Sequence, residues 1–331
     1  MSNFDAKSLA AAFLDKKVLV IGDIMVDEYI TGSVKRISPE APVPVLDFKE
    51  KSRQAGGACN VAHNIRGLGA NVIMAGVANK DESGEWLLAH LKEQGISAEG
   101  IVAEAMRPTT TKTRYATKGQ QLLRVDSEKT DGILTETKEK LLALLEAKLS
   151  EGLDAVVLSD YRKGVFEDES FVRRIISMCE ENDTFVGIDS KSRNIAAFKG
   201  ASVVKPNNLE LEDAVNIKIT DEESLNEAGK RYLEKSGARA LVVTRGAKGI
   251  SLFMPDKMRK DFAARDVQVY DVCGAGDTVI STITMGMISS LSIDDAIVLA
   301  NLAAGVVISK VGTVAITADE LMDAARQPGQ S

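Results

Sequence analysis

Short apolar runs alternate with amphipathic stretches along most of the chain. Residues 17–22 (KVLVIG) form an apolar run of strand length closed by a turn glycine. Ala58, Val61, Ala62, Ile65 and Leu68 then fall on one helical face, with Gly69 as a stop. Residues 71–76 read as the next strand and 82–94 as a helix closed by Gly95. A helix at 135–150, a strand at 154–159, a helix at 168–181 and a strand at 184–189 continue the rhythm. Strand 201–204, helix 221–235 and strand 239–244 follow, then apolar helices near 275–289 and 293–310 and a shorter one near 317–326. This alternation predicts an α/β fold, a mainly parallel sheet with helices on both faces.

Two segments break the rhythm. Residues 29–48 (YITGSVKRISPEAPVPVLDF) carry three prolines and no helical period. Residues 109–126 read as a hairpin that turns at Lys118-Gly119. Together they predict one small accessory sheet, a β-lid that covers a ligand site or meets a second subunit. Two plain surface loops are the alternative. With no internal repeat, residues 1–331 read as a single domain carrying this lid.

Composition narrows the class. The chain has 331 residues, 44% hydrophobic and 27% charged, which is ordinary for a globular protein. A net charge of −7 without a long basic run argues against a nucleic-acid partner. Phosphorylated ligands stay open, since a site needs only a few local cations. Cys59, Cys179 and Cys273 are widely spaced, which predicts a reducing, cytoplasmic setting rather than a disulfide framework. His63 and His90 lack metal-ligand spacing. The apolar stretch near the N-terminus is short and broken by Asp15, and no run is long enough for a membrane span, so neither a signal peptide nor a membrane partner is expected.

The sharpest chemistry lies in residues 267–278 (VQVYDVCGAGDT), where a strand enters a small-residue turn that opens a long apolar helix. Unpaired N–H groups and the helix dipole suit an anion there. Gly274, Ala275 and Gly276 have no bulk to block a phosphate, and Asp277 in the same turn can take a proton from an attacking hydroxyl. A helix-start carboxylate without catalytic duty is the bland alternative. No G-x-x-x-x-G-K-[ST] occurs, and Val279 and Val72 stand where a dinucleotide fingerprint needs Gly or Ala.

Other predicted strands also end in polar groups. Asp27 follows the first strand, and Gly56-Gly57 with Asn60 open the first long helix. Asp160, Lys163, Asp189 and Lys191 stand at two further strand ends. Asn207 and Glu210, three apart, suit Mg²⁺ or, equally, a helix cap. Thr244, Gly246 and Gly249 lie in a strand and basic turn that could hold nucleotide phosphates or be a plain hairpin.

Early Gly56-Gly57 and late Asp271-x-x-Gly274-Ala275-Gly276-Asp277, with Asn207-x-x-Glu210 between, resemble the ribokinase-like (PfkB-type) carbohydrate kinases. Residues 37–45 (ISPEAPVPV), 60–62 (NVA), 120–126 (QQLLRVD), 158–161 (LSDY) and 301–307 (NLAAGVV) are similar to bacterial heptose-7-phosphate kinases. The resemblance implies a ribokinase-like three-layer fold. It implies transfer of the ATP γ-phosphate to the anomeric O1 of D-glycero-β-D-manno-heptose 7-phosphate, in lipopolysaccharide core biosynthesis. Asp277 would be the base, with the amides of Gly274, Ala275 and Gly276 stabilising charge. Asp27, Gly57, Asn60, Asp189 and Lys191 would meet the sugar, with Arg114 and Lys163 as candidates for its 7-phosphate. Asn207, Asn208, Glu210, Thr244, Gly246, Gly249 and Asn301 would serve Mg²⁺ and ATP. The metal would sit on Glu210 and Asn207, directly or through water. A homodimer through the lid is a further implication.

Relatives often carry a fused nucleotidyltransferase with an H-x-G-H motif. Neither histidine here sits in one, so a stand-alone kinase is expected. Cys273 replaces a common Thr, and Ser190 a common Pro. Other sugar kinases of ribokinase or phosphofructokinase type, and a non-catalytic sensor, are the alternatives.

Overall fold

The computed structural model describes residues 6–326. Helix α1 (Ala6–Leu14) leads to β1 (Lys17–Gly22), a long hairpin of β2 (Ile24–Ile37) and β3 (Pro44–Gly57), then α2 (Ala58–Gly67), β4 (Asn71–Ala78), α3 (Glu82–Glu93) and β5 (Ser97–Ala103). A second hairpin, β6 (Thr111–Thr117) and β7 (Gln120–Ser127), precedes α4 (Thr135–Ser150), β8 (Ala155–Asp160), α5 (Glu169–Glu181) and β9 (Phe185–Ser190). Next come β10 (Val203–Val204), α6 (Asn208–Val215), α7 (Glu222–Ser236), β11 (Leu241–Thr244), β12 (Ile250–Phe253) and β13 (Lys260–Phe262). Helices α8 (Ala275–Ile288), α9 (Ile293–Ile308) and α10 (Ala318–Arg326) come last.

The large sheet has the order β13-β12-β11-β10-β9-β8-β1-β4-β5. All its neighbours pair in parallel except β11–β12 and β12–β13. β1 lies inside the sheet, between β8 and β4, and is buried on both faces, so its pattern is a continuous apolar run. Val18 and Val20 pack into a core shared with α2, α8 and α9; Leu19 and Ile21 pack into a second core under α4, α5 and α7. These two cores make the three layers.

The second sheet has the order β3-β2-β6-β7, each hairpin antiparallel and β2 parallel to β6. It begins one residue after β1 and returns without a loop into α2. The first insertion is therefore longer than its proline-rich stretch suggested: strand pairing extends over 24–57, not 29–48. The residues added at the two ends, 24–28 and 49–57, carry no prolines and lay between the predicted strand, the predicted lid segment and the predicted helix. The hairpin turn at Lys118-Gly119 is where the sequence put it, with Gly119 at φ 86°. Strand 201–204 shrinks to β10, while β5, β12 and β13, unexpected from the pattern, are short or half-exposed. α1 was also unexpected; the first five residues of the N-terminal stretch lie outside those described. Among the described residues no helix is long and apolar enough to cross a membrane.

Candidate active site

Gly274 caps α8 in the left-handed conformation, φ 79°, and a Cβ there would lie 2.6 Å from Asn60 Nδ2. Glycine thus lets the turn press against α2 and leaves the helix start open. Asp277, in the first turn of α8, is buried. Its Oδ2 accepts from Asn60 Nδ2 at 2.6 Å, and its Oδ1 from the Tyr161 hydroxyl at 2.8 Å. One turn along α2, Asn64 donates to the Asn60 carbonyl and accepts from Thr278 Oγ1 and the Ile316 amide. This buried network locks α2 to α8 and fixes the carboxyl plane. Burial, then the charge of Asp189, pushes Asp277 up to about 6; the bonds from Asn60 and Tyr161 and the charge of Lys205 oppose them.

Behind the turn stands a buried ion pair, Lys205 Nζ to Asp189 Oδ2 at 3.1 Å. Burial alone would depress the lysine, but Asp189, Glu210 and Asp277 raise its pKa, so it stays charged. Its Nζ lies 3.1 Å from where a Cβ on Gly276 would stand. Gly276 therefore leaves the cation open to whatever occupies the turn. Asn207 and Glu210 form a reciprocal capping box at α6: the Asn207 amide donates to Glu210 Oε2, and the Glu210 amide to Asn207 Oδ1. The capping alternative is thus realised, yet Glu210 also joins the charge network, its pKa raised by burial against the pull of Lys205. Among the described residues no three acidic, His or Cys side chains cluster as a ready metal cage. Asn207 and Glu210 supply hard oxygen donors of the kind Mg²⁺ takes when it arrives on phosphates.

Beside the turn opens a cavity of about 750 Å³, reached by Ala275 and Gly276 and lined by Asn207, Thr244, Gly246, Gly249 and Asn301. Val267, Val272, Val279 and Ile308 give it an apolar wall. Asn301 donates to the carbonyls of Phe262 and Ala263, holding that wall. Gly249, at φ 83°, leaves no room for a Cβ, which would fall 2.0 Å from the Phe262 carbonyl oxygen. Arg245 does not line the cavity: it pairs with Glu222 and Asp261, so the basic turn is a structural hairpin corner. Asn208 does not line it either, and its buried Oδ1 has no partner among the described residues.

On the lid side, Asp27 in β2 pairs with Arg114 in β6, whose guanidinium lies 5.3 Å from the Tyr29 ring centroid. Gly56 makes space for Asp27, since a Cβ would approach its Oδ2 to 2.3 Å. Gly57, at φ 60°, presses on the Asp23 carbonyl. Lys163 Nζ pairs with Glu128, which Lys112 also contacts. The Lys191 ammonium lies 4.1 Å from the Tyr161 ring centroid.

The profile described as pfkB family carbohydrate kinase matches residues 15–320. The chain belongs to the pfkB family of carbohydrate kinases. Bifunctional protein HldE of Syntrophotalea carbinolica is 37% identical over 324 residues, 98% of this chain and 66% of its own length. Its namesake from Methylobacillus flagellatus is 41% identical over 304 residues, 92% of this chain and 62% of its own length. The chain thus spans a little under two thirds of these relatives. Arabidopsis thaliana ribokinase complexed with ribose and ATP superposes with TM-score 0.76 at 16% identity, covering 95% of this chain and 100% of that one. Escherichia coli phosphofructokinase-2 in complex with potassium gives 0.75 at 19% identity, covering 94% and 98%. The fold is ribokinase-like.

In this pfkB kinase, Asn60, Asp189 and the 274–276 turn gather around Asp277, Lys191 stands against Tyr161, which bonds Asp277, and five residues expected on the nucleotide side line one cavity. Arg114 and Lys163, expected as cations for a distal phosphate, both already hold a carboxylate. Three residues of the site were not singled out from the sequence. Lys205 and Tyr161 stand at strand ends where the pattern shows only position. Asp23, the one residue between β1 and β2, precedes the expected Asp27, which stands in β2 rather than in a turn. It is buried and accepts from the amides of Tyr161, Lys163 and Val165 at 2.8, 2.9 and 3.2 Å. Burial pushes Asp23 up to about 6, against those amides. His63 and His90, distant in sequence, meet edge to face at 5.2 Å between α2 and α3, and His90 stacks on Trp86.

Proposed function

We propose that this pfkB kinase moves the γ-phosphoryl group of Mg·ATP to the anomeric O1 of D-glycero-β-D-manno-heptose 7-phosphate, giving the 1,7-bisphosphate and ADP. The observation that carries the reaction is Asp277: a buried carboxyl in the first turn of α8, beside an open glycine turn and a buried lysine. The base takes the proton from O1 as the oxygen attacks phosphorus; the bond to the bridging oxygen breaks and ADP leaves. Amides of Gly274, Ala275 and Gly276, with Lys205, stabilise charge on the group in transit. Thr244, Gly246, Gly249 and Asn301 hold the nucleotide, with Asn208 beside them. Mg²⁺, bound with the phosphates on Glu210 and Asn207 directly or through water, would neutralise their charge. Asp27, Gly57, Asn60, Asp189 and Lys191 hold the sugar, and Arg114 and Lys163 turn from their carboxylates to the 7-phosphate. The lid closes over the site, excludes water and pairs with a second copy, using the exposed Ile37, Phe48, Leu123 and Val125.

Support for the heptose comes from the segments similar to heptose-7-phosphate kinases, in a chain whose relatives are named bifunctional protein HldE. One observation favours a second reading. The cations meant for the distal phosphate are already paired, which suits a sugar without one, as in ribokinase. ADP release from Mg·ATP against heptose 7-phosphate, fructose 6-phosphate, ribose and adenosine decides between them. Selective turnover of the heptose, lowered roughly 10²–10⁴-fold in Asp277→Asn with ATP still bound, is expected. Preference for ribose would move the substrate to the second reading. No turnover at all would leave a sugar or nucleotide sensor.

A further inference from the structure

We infer that Tyr161 is a positioning residue for Asp277: its hydroxyl pins one oxygen of the base and favours the ionised, proton-accepting form. The inference rests on the reading of Asp277 as the base.

Asp277 is held at both oxygens, by Asn60 on Oδ2 and by Tyr161 on Oδ1. A carboxylate offers about four lone-pair sites, so the acceptor hydroxyl still finds one. With both donors in place, neither the torsion nor the plane of the base is free. Tyr161 is itself fixed from two sides. Its amide donates to Asp23 Oδ2 at 2.8 Å, and the Lys191 ammonium stands 4.1 Å from its ring centroid. Burial, then the charge of Asp277, pushes the phenol well above its ordinary range. The hydroxyl therefore remains a donor at every working pH.

The other charges around the pair are few. Asp189 from β9 raises Asp277, and Lys205, just past β10, lowers it. Tyr161 feels Asp277, Asp189 and Glu210 of α6, all of which keep it protonated. A hydrogen bond to the charged form of a carboxyl lowers its pKa. Removing the phenol oxygen should therefore leave Asp277 harder to ionise, while the ring stays to fill its place.

Tyr161→Phe tests this in the whole chain. Carboxyl ¹³C NMR follows Asp277, assigned by the signal missing from Asp277→Asn. The midpoint of Asp277 should move to higher pH in the phenylalanine variant. The acid limb of kcat/KM should move the same way, with kcat lower by roughly 10–100-fold, the worth of one bond to a charged group, and sugar KM nearly unchanged. A merely structural Tyr161 would change thermal stability but not the midpoint. An unmoved midpoint overturns the inference, and so does a moved midpoint with kcat intact. If Tyr161→Phe does not fold, 3-fluorotyrosine at 161 donates more strongly and should move the midpoint down. Wild-type protein inactive on every sugar would defeat the kinase reading alone, since the midpoint still decides what Tyr161 does.

Discussion

Asp277 and Lys205 carry opposite charges into a buried place, and each holds the other in its charged state. A carboxyl pushed up to about 6 loses its proton-accepting form in mild acid. The kcat/KM of the kinase should then be flat above neutrality and fall about tenfold per unit below about pH 6. A profile flat down to about pH 4, where an ordinary carboxyl titrates, would remove Asp277 from the base role. Lys205→Met takes away a charge that lowers Asp277 and leaves Asp189 without this ion-pair partner. We expect kcat lower by roughly 10²-fold or more and the acid limb moved upward, measured by initial rates across pH. The place of Asp277 was legible because four consecutive residues, Gly-Ala-Gly-Asp, state a turn and an open helix start with a carboxyl in it. Lys205 and Tyr161 were not legible as site residues. Each is one polar residue after an apolar run, and only the parallel order of β8, β9 and β10 brings them to Asp277.

At the scale of elements, the lid shows what sequence pattern carries and what it hides. Gly119 marks the turn of the second hairpin, as the sequence predicts, whereas Pro39 and Pro42 lie in the turn of the first and Pro44 opens β3. The lid's junctions with the main sheet were not legible, because β1 passes to β2 through Asp23 alone and β3 runs straight into α2. Asp23 binds three amides of the 161–165 segment, so the lid root and the segment that carries Tyr161 share one anchor. Across the lid, β6 places Arg114 against Asp27. Arg114→Ala should free Asp27 and remove a cation from the lid. If that cation serves a distal phosphate, KM for heptose 7-phosphate should rise by roughly tenfold or more while KM for ATP changes little. An equal rise for ribose would show that Arg114 only orders the lid.

For the molecule as a whole, the alternation of apolar runs gave the sheet and its helices, since strands buried on both faces must be apolar. Five residues lining the cavity beside the turn were named through the family resemblance; its shape was not legible, because its walls come from β11, α8 and α9, elements far apart in sequence. The buried charges of the site also bear on stability. Asp277 rises from 3.8 to about 6 on folding, so the folded chain holds this proton more tightly than the unfolded one. Its contribution to stability is present below 3.8 and is lost as pH rises through about 6, a cost of about 3 kcal/mol at neutrality. Asp23 acts in the same direction, whereas Asp168 and Glu28, held below their ordinary values by Lys and Arg partners, act in the opposite one. The wild-type curve alone therefore cannot isolate Asp277, but a difference between two proteins can. Asp277→Asn removes this titration and leaves those of Asp23, Asp168 and Glu28 in place, so its melting temperature should exceed that of the wild type near pH 7.5, with the gap closing toward about pH 4. A gap constant across that range would mean that Asp277 titrates alike in both states. The fall of activity below about pH 6 would then need a different group.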